Sequence, residues 1–308
     1  MGSYDQRNQN VGNQVNIGQA QINLPPELWR QLSAISERDQ KENLAVADLK
    51  TEVWEPETVL ISAGEFIMGT EVGDGVSKFE TPKFKLMLPS YRIGKYPVTN
   101  EEYGRFVRET NRPVCTELTW ENGRQPSPEQ FNLPVKGVSW YDAIAYCLWL
   151  GEQTERPYTL PSEAQWEKAA RGTTGMTFPW GDEWNGGVFC NIDGRQIKAV
   201  DAYQEGASPF GCFDMVGNVR EWTSTIWGRH RRREPDERTV YPWQGPWKPN
   251  EGPDELGVNR QIRRVTRGGT TLIAGTELRA ARRSSELPYR RGLTILRIGF
   301  RIALNLEE

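Results

Sequence analysis

The sequence predicts an α+β domain that is rich in loops and turns, and three observations carry this prediction. Only three segments have a complete helix-start signal, whereas several short apolar runs are typical of strands. Thirty glycines and twenty prolines are spread along the chain and interrupt these runs. Few helices, many short strands and long irregular connections together describe an α+β domain dominated by turns.

The N-terminal segment, residues 1–23, is rich in Asn, Gln and Gly, and its pieces NQNVGNQ and NQVNIGQ repeat one another loosely. This composition favours disorder, because it offers too little apolar surface to offset the entropy of ordering. Val and Ile alternating with amides also suit short β-segments that order against a partner or a copy of themselves. Both interpretations predict that the segment does not fold independently, and the second gives it a role in assembly.

Residues 24–53 form the next predicted unit. Pro25 opens a stretch in which Leu28 and Leu32 recur with helical spacing, so we predict a helical lead-in or linker. The composition then changes, and residues 54–308 are predicted to form the compact domain.

Three helices are predicted in that domain from capping boxes. In this motif a hydroxyl and a carboxylate or amide three residues later satisfy each other's free backbone N–H groups. Gly172 is expected to end the third helix, because glycine readily adopts the left-handed conformation found at helix C-termini. The three pairs are Thr99 with Glu102, Ser139 with Asp142, and Ser162 with Gln165.

Strand-like runs lie around these helices, and Gly/Pro-rich connections fill the remainder of the domain. Residues 228–260 combine several prolines, glycines and charges, so we predict an exposed loop there. The strand-like runs read EFIMGT, FKLMLPSYRIGKYPVT, RVTRGG and IGFRIAL.

The cysteines and the histidine argue against several kinds of site. Cys115, Cys147, Cys190 and Cys212 show no CxxC spacing and have no neighbouring histidine. We therefore predict reduced, mostly buried thiols rather than a zinc site or a redox motif. The chain has one histidine, His230, which cannot build a multi-histidine metal centre.

Charge is distributed unevenly along a chain whose formal net charge is -3. Residues 260–301 contain eleven arginines against two glutamates, and the knot RHRRR occupies 229–233. Such clusters attract phosphates or an acidic partner, and the alternative is that they pair with carboxylates elsewhere in the chain. No apolar run approaches the roughly 20 residues of a membrane helix, and no secretory leader is recognisable, so we predict a cytoplasmic protein that does not enter membranes.

An ordered series of nine motifs then gives the domain a family resemblance. Together these motifs, which cover about 54–303, resemble the formylglycine-generating-enzyme domain, also called the sulfatase-modifying factor domain. The resemblance implies an elaborated C-type-lectin-like fold. The motifs are GEFIMGT, YRIGKYPVTNEEYGRFV, PVKGVSWYDAIAYCLWL, RPYTLPSEAQWEKAARG, FPWGDEW, CNI, FGCFDMVGNVREWT, RVTRGG and IGFRIA.

The chemistry that this resemblance implies depends on residues that the chain lacks. Formylglycine-generating enzymes hold copper(I) with two cysteine thiolates shortly after the RGG motif and use oxygen to oxidise a substrate cysteine. Soft thiolates are what copper(I) requires, but Ile273 and Leu278 fall at these two positions. The related ergothioneine-type sulfoxide synthases hold iron with several histidines. From these two absences we predict that the domain is not an enzyme.

The resemblance also implies a calcium site in the stretch DMVGNVREW, residues 214–222. By match, Asp214 and Glu221 would supply carboxylate oxygens, and Gly217 and Val219 main-chain carbonyls. Such a mixture of oxygen ligands suits calcium. The alternative is that the two acids only cap the turn and pair with nearby arginines.

A second calcium site is implied at Asn191 and the carbonyl of Ile192. Asp193 or Asp201 is a candidate to complete it. In either site the ion would brace loops and would have no catalytic role.

A closer resemblance is to the variable proteins of diversity-generating retroelements and their bacterial relatives. It is carried by YQEGASPFGCFDMVGNVREWTSTIW and by the series RVTRGG, RAARR and IGFRIA. In those proteins the last segment of a lectin-like domain displays hypervariable side chains that bind diverse partners. The chain reads RGGTT where that family usually has RGGSW, a departure that fits a variable surface and a diverged scaffold equally.

This resemblance implies a ligand-recognition protein whose partner is a protein ligand or an effector protein. Leu272 and Ile273 fit a place in the core equally well. The motif residues Arg267, Gly268, Gly269, Gly299, Phe300 and Arg301 are assigned to the scaffold. The candidate contact residues are Thr270, Thr271, Leu272, Ile273, Arg283, Ser284, Ser285, Glu286, Tyr289, Arg290 and Arg291.

Two other functions are weighed against recognition. One is a copper- and oxygen-dependent oxidase of cysteine peptides, and the other is a regulatory subunit of a larger assembly. Nucleic-acid binding is disfavoured, because the arginine-rich end lacks interleaved aromatic residues on a recognisable module.

Overall fold

The structure is a computed structural model of the chain. It describes residues 14–17, 20–23, 54–73, 75–112, 120, 125–192, 196–229, 262–269, 277–292 and 297–306. The predicted lead-in of residues 24–53 therefore lies outside the described residues.

Two short strands, β1 (Gln14–Ile17) and β2 (Ala20–Asn23), pair antiparallel as a hairpin. They lie in the amide-rich N-terminal segment, for which the sequence left disorder and β-segments open.

Three helices follow along the chain: α1 (Asn100–Thr110), α2 (Trp140–Thr154) and α3 (Glu163–Arg171). All three predicted capping boxes are confirmed, with both hydrogen bonds present in each. Gly172 ends α3, as predicted, but its φ of 68° with ψ of -160° is not the left-handed helical conformation that was expected. Its N–H donates to the carbonyl of Lys168. Local signals thus place each helix start correctly.

The strands of the domain form three sheets. One has the order β3-β6-β12-β7, one is the pair β4-β5, and one has the order β10-β9-β8-β11. The strand bounds are β3 (Thr58–Ile61), β4 (Gly64–Met68), β5 (Phe84–Leu88), β6 (Tyr91–Gly94), β7 (Tyr158–Thr159), β8 (Arg220–Arg229), β9 (Ile262–Arg267), β10 (Ser284–Glu286), β11 (Ile298–Phe300) and β12 (Ala303–Asn305).

The sheet β10-β9-β8-β11 carries the C-terminal motifs. Strand β8 lies inside it, antiparallel to β9 and parallel to β11. The sequence prediction did not include β8, because its charged and hydroxyl side chains obscure the strand alternation. Its Glu221 is fully buried and stands opposite Arg267. The first two residues of the predicted 228–260 loop end β8, and residues 230–260 lie outside the described residues.

Aromatic side chains dominate the core and attach this sheet to the helices. Trp140 on α2 and Trp222 on β8 are both fully buried. The indole N–H of Trp140 donates to the carbonyl of Thr223 at 2.9 Å, and that of Trp222 donates to the carbonyl of Val138 at 2.9 Å. The indoles of Trp140 and Trp222 thus each have a partner, and the two bonds tie β8 to the start of α2.

Within the described part of the chain, no helix has both the length and the apolar character that crossing a membrane requires.

Candidate functional site

The stretch DMVGNVREW forms a tight turn that leads into β8. Asp214, Gly217 and Asn218 all have positive φ, at 54, 82 and 52. A side chain on Gly217 would place its Cβ 2.5 Å from the carbonyl oxygen of Asn191, so glycine is needed there. The amide of Asn218 donates to Asp214 Oδ2 at 2.8 Å and to the carbonyl of Lys198 at 3.0 Å. The turn is therefore held by its own amide.

The second acid of the stretch, Glu221, forms a fully buried ion pair with Arg301. Its Oε2 accepts from Arg301 Nε at 2.6 Å, and its Oε1 accepts from Arg301 Nη2 at 2.7 Å. Trp166 adds its indole N–H to Oε2 at 2.8 Å. Arg301 also donates to the carbonyls of Gly94 and Phe213. One guanidinium therefore joins the VREW and GFR motifs to two further segments.

This arrangement does not fit a calcium ion at the first predicted site. Both oxygens of Glu221 already face a guanidinium, which supplies the positive charge that a cation would supply. The carboxylate of Asp214 is buried, and this burial raises its pKa to about 7. As described, the turn therefore resembles the alternative in which the acids cap the turn and pair with arginine.

The second predicted calcium site is only partly described. Asn191 is fully buried, and its amide donates to Asn218 Oδ1 and to the carbonyl of Gln196. Ile192 is exposed, Asp193 lies outside the described residues, and Asp201 accepts from Asn132. Calcium at this position stays a prediction.

A test of the first site follows from the raised pKa of Asp214. Between about pH 4 and pH 7 the folded chain holds a proton that the unfolded chain releases, so stability falls as pH rises through this window. In EGTA at pH 8, Asp214→Asn should therefore stabilise the protein by about 2–4 kcal/mol in urea denaturation, and the fall between pH 4 and 7 should shrink. Asparagine keeps an acceptor for Asn218.

In the companion experiment, calcium replaces EGTA for both the wild type and Asp214→Asn at pH 8. We expect no rise in Tm for either protein. A calcium-dependent rise in Tm that Asp214→Asn abolishes would show that calcium does bind at this turn. A lower stability of Asp214→Asn than of the wild type in EGTA would contradict the raised pKa of Asp214.

Two more buried carboxylates, both on α3, bind arginines of the C-terminal segment. Glu167 lies between Arg171 and Arg267, and Glu163 accepts from Arg283 at 2.7 and 2.8 Å. The backbone N–H of Gly69 also donates to Glu167 at 2.7 Å. We call Glu163, Glu167, Glu221, Arg267, Arg283 and Arg301 the buried ion-pair frame.

The sequence left two roles open for the arginines of the C-terminal end, which are attraction of a phosphate or an acidic partner and pairing with carboxylates of the same chain. Of the ten arginines of 260–301 that the structure describes, at least eight lie within ion-pair distance of a carboxylate, so pairing inside the chain prevails there. The eight are Arg263, Arg267, Arg279, Arg282, Arg283, Arg290, Arg291 and Arg301.

The structure corrects the predicted contact surface at two positions. Arg283 and Glu286 were expected to be exposed, but they are 8% and 6% exposed. Arg283 is held inside by Glu163, and Glu286 accepts from the N–H of Leu287. The two belong to the support beneath the surface.

The other predicted contact residues lie in three different places. Ser284 and Ser285 are half-buried on β10, the edge strand of its sheet. Tyr289 is 44% exposed, and Arg290 beside it is exposed. Arg291 is also exposed but binds Asp142, which completes the capping box of α2 with Ser139. The predicted positions 270–273 lie outside the described residues.

The positions of the two predicted thiolates are also partly described. Leu278 is buried, whereas Ile273 lies outside the described residues. Cys190 and Cys212 are buried thiols, and burial raises their pKa values to about 12 and about 11. No group of three or more His, Cys, Asp or Glu side chains that could hold a metal ion occurs among the residues that the structure describes.

One residue of this region was missed by sequence reasoning. Arg220 is the first residue of β8, between the fully buried Val219 and Glu221, and it is itself partly buried. No sequence signal pointed to Arg220, because only the fold shows that the GNVREW motif around it is buried.

Comparison with known protein families explains the order of these motifs. The family model described as the sulfatase-modifying factor enzyme 1-like domain matches residues 45–306, most of the chain. The chain belongs to this family. The match begins nine residues before the domain boundary that the sequence predicted at 54.

Curated relatives of this sulfatase-modifying factor-type domain carry several different names. The serine/threonine-protein kinase Pkn1 of Chlamydia trachomatis is 30% identical over 82% of this chain, and the match covers 38% of that relative. The hercynine oxygenase of Mycolicibacterium smegmatis is 28% identical over 76% of this chain and 58% of its own length. The inactive C-alpha-formylglycine-generating enzyme 2 of Mus musculus is 31% identical over 56% of this chain and 70% of its own length. The domain thus spans between about a third and two thirds of these proteins.

Solved structures confirm the predicted fold class, α+β with the C-type-lectin-like fold of the formylglycine-generating-enzyme type. PvdO from Pseudomonas aeruginosa aligns with TM-score 0.66 and 24% identity, covering 84% of this chain and 97% of PvdO. Treponema denticola variable protein 1 aligns with TM-score 0.53 and 21% identity, covering 80% and 94%. At these identities the likeness shows the fold alone.

The relatives overturn one prediction. We expected that the sulfatase-modifying factor-type domain is not an enzyme, but hercynine oxygenases from three mycobacterial species match about three quarters or more of it. The prediction is therefore wrong. Its reasoning concerned two particular ligand sets, two thiolates or several histidines, and losing these ligands does not separate a chain from enzymatic relatives.

Proposed function

We propose that the chain recognises a protein ligand through a surface of its C-terminal segment. The observation that carries this proposal is the exposure of Tyr289 and Arg290 directly after the edge strand β10. Together with the half-buried Ser284 and Ser285, they form what we call the C-terminal surface.

The buried ion-pair frame supports this surface from beneath. Arg283 precedes β10 and is bound by Glu163 of α3, while Arg267 ends the neighbouring strand β9 and is bound by Glu167. Side chains of opposite charge that are buried and well hydrogen-bonded fix one geometry. Exposed residues mounted on such a support can present a defined shape without bearing on the stability of the core.

The chemistry of the exposed residues suits protein recognition. Tyrosine and arginine are enriched among residues that dominate binding energy at protein interfaces. Tyr289 offers a large apolar ring with a hydroxyl, and Arg290 offers a guanidinium whose pairing with Glu286, at 3.4 Å, leaves it exposed.

The test is photo-crosslinking in cells of the source organism. A photoreactive amino acid at Tyr289 should give a discrete adduct with a protein, because this exposed position belongs to the proposed surface. The matched control carries it at Val188, which is 54% exposed on a different loop. An adduct at Val188 but none at Tyr289 would refute the proposed surface.

A second candidate function is catalysis, which the match to hercynine oxygenases favours. The two functions are compatible on one domain. Oxygen consumption by the purified chain in the presence of hercynine would support catalysis.

A further inference from the structure

The start of β8 lies on the same sheet face as part of the C-terminal surface. Trp222 stands opposite Thr266 on β9, and Thr266 stands opposite Ser284 on β10. Residues directly opposite each other point to the same face, as do residues two apart on one strand. Arg220, two residues before Trp222, therefore shares this face with Ser284.

Arg220 differs from the other arginines around it. Its side chain makes no hydrogen bond and no ion pair with the part of the chain that the structure describes, and its Nε is buried without an acceptor. A guanidinium carries five donors, and buried charges in proteins are normally paired. Burial, and then repulsion from Arg282, lower the pKa of Arg220, and Glu286 offsets part of this effect.

The surroundings of Arg220 carry an excess of positive charge. Arg282 binds Glu277 through Nη1, and Glu286 lies 3.4 Å from both Arg263 and Arg290. Four arginines thus share the carboxylates of Glu277 and Glu286. The four are Arg220, Arg263, Arg282 and Arg290. An arginine that no carboxylate neutralises is expected where a ligand brings the missing negative charge.

We propose that Arg220 and Arg282 bind a carboxylate of the protein ligand, an Asp or Glu side chain in an acidic segment. This inference rests on the proposed function and names the chemistry that the C-terminal surface recognises. The planar guanidinium of Arg220 matches a carboxylate with two parallel N–H donors. Arg282 adds positive charge next to it.

Charge alone favours neither a carboxylate nor a phosphate at this place, because the attraction to the arginines and the repulsion from Glu286 both scale with the charge of the ligand. A protein ligand supplies carboxylates through its Asp and Glu side chains, so phosphate and an oligonucleotide enter the experiment as competing ligands.

The experiment uses the full chain and a fluorescein-labelled hexaglutamate peptide, with binding measured by fluorescence anisotropy at low salt. Arg220→Gln should weaken binding about tenfold or more. The Kd of Arg220→Lys should lie between those of the wild type and Arg220→Gln, because lysine keeps the charge but lacks the two parallel N–H donors of the guanidinium. The matched control is Arg108→Gln, which removes one positive charge from the exposed last turn of α1 and should change Kd less than about twofold.

Folding is checked in the same variants. Because Arg220→Gln removes a partly buried cation that has no counter-ion in the described chain, its Tm should equal or exceed that of the wild type. Lost binding with an intact Tm supports a direct contact.

Three results would overturn the proposal. They are unchanged peptide binding in Arg220→Gln, no binding of the peptide to the wild type, and Arg220-dependent binding of inorganic phosphate or oligo-dT in place of the peptide. If the crosslink at Tyr289 forms but the peptide does not bind, the proposed function of the C-terminal surface is kept and only the proposed carboxylate ligand is wrong.

Discussion

Replacing Arg301 by methionine is expected to lower the free energy of unfolding by about 3–5 kcal/mol, since it leaves the buried carboxylate of Glu221 without its counter-ion. Arg301 and Glu221 are both fully buried and share two hydrogen bonds of 2.6 and 2.7 Å. The methylene stem of methionine fills much of the same space, so the loss reports the unpaired charge of Glu221 together with the donors that the carbonyls of Gly94 and Phe213 lose. Urea denaturation measures it.

Two further variants separate charge from packing. In Glu221→Gln with Arg301→Met, glutamine can still accept from the Trp166 indole and no buried charge is unpaired, so the double variant should be more stable than Arg301→Met alone. The surface control is Lys85→Met, whose exposed pair with Glu65 should be worth less than about 1 kcal/mol. Equal losses in Arg301→Met and Lys85→Met would contradict the role of the frame.

Glu167→Gln is the second substitution with a large expected effect, again about 3–5 kcal/mol. The carboxylate is fully buried and lies between the guanidinium groups of Arg171 and Arg267. Glutamine retains an oxygen for the N–H of Gly69 but removes the negative charge that both arginines share. Two adjacent buried cations would then repel each other.

The matched control for this charge is Glu109→Gln, an equally isosteric change in the exposed pair with Arg105. It should cost less than about 1 kcal/mol in the same urea experiment. If Glu167→Gln costs no more than the control, Glu167 does not organise the C-terminal segment and the frame loses one of its three carboxylates.

The helices could be predicted because their signals are local. Each capping box joins residues three apart, so Thr99 with Glu102 or Ser139 with Asp142 can be recognised without any tertiary contact. The ordered motifs likewise predicted the fold family, which depends on their sequence along the chain.

The ion-pair frame could not be predicted in the same way. Arg283 meets Glu163 across 120 residues, and Arg301 meets Glu221 across 80. A charged residue is usually exposed, so Arg283 and Glu286 were expected on the surface. Only the fold brings Arg283 to Glu163, and Glu286 to Arg263 and Arg290.

Arg220 illustrates the opposite case. Its neighbours in sequence, Val219 and Glu221, are buried and satisfied, whereas its own donors face no acceptor in the described chain. Neither residue type nor spacing distinguishes it from the paired arginines. Only the contacts in the structure show that Arg220 lacks an acceptor among the described residues, and this is why Arg220 is the position at which to test whether the ligand carries a negative charge.

Position-resolved photo-crosslinking tests most directly whether the C-terminal surface binds a ligand above the buried frame. The photoreactive residue is placed in turn at Ser284, Tyr289 and Arg290, and at the exposed control positions Met87 and Val188. We expect adducts of one common mass at Ser284, Tyr289 and Arg290 and none at the two control positions. Adducts at Met87 or Val188 with none at Tyr289 and Arg290 would contradict it.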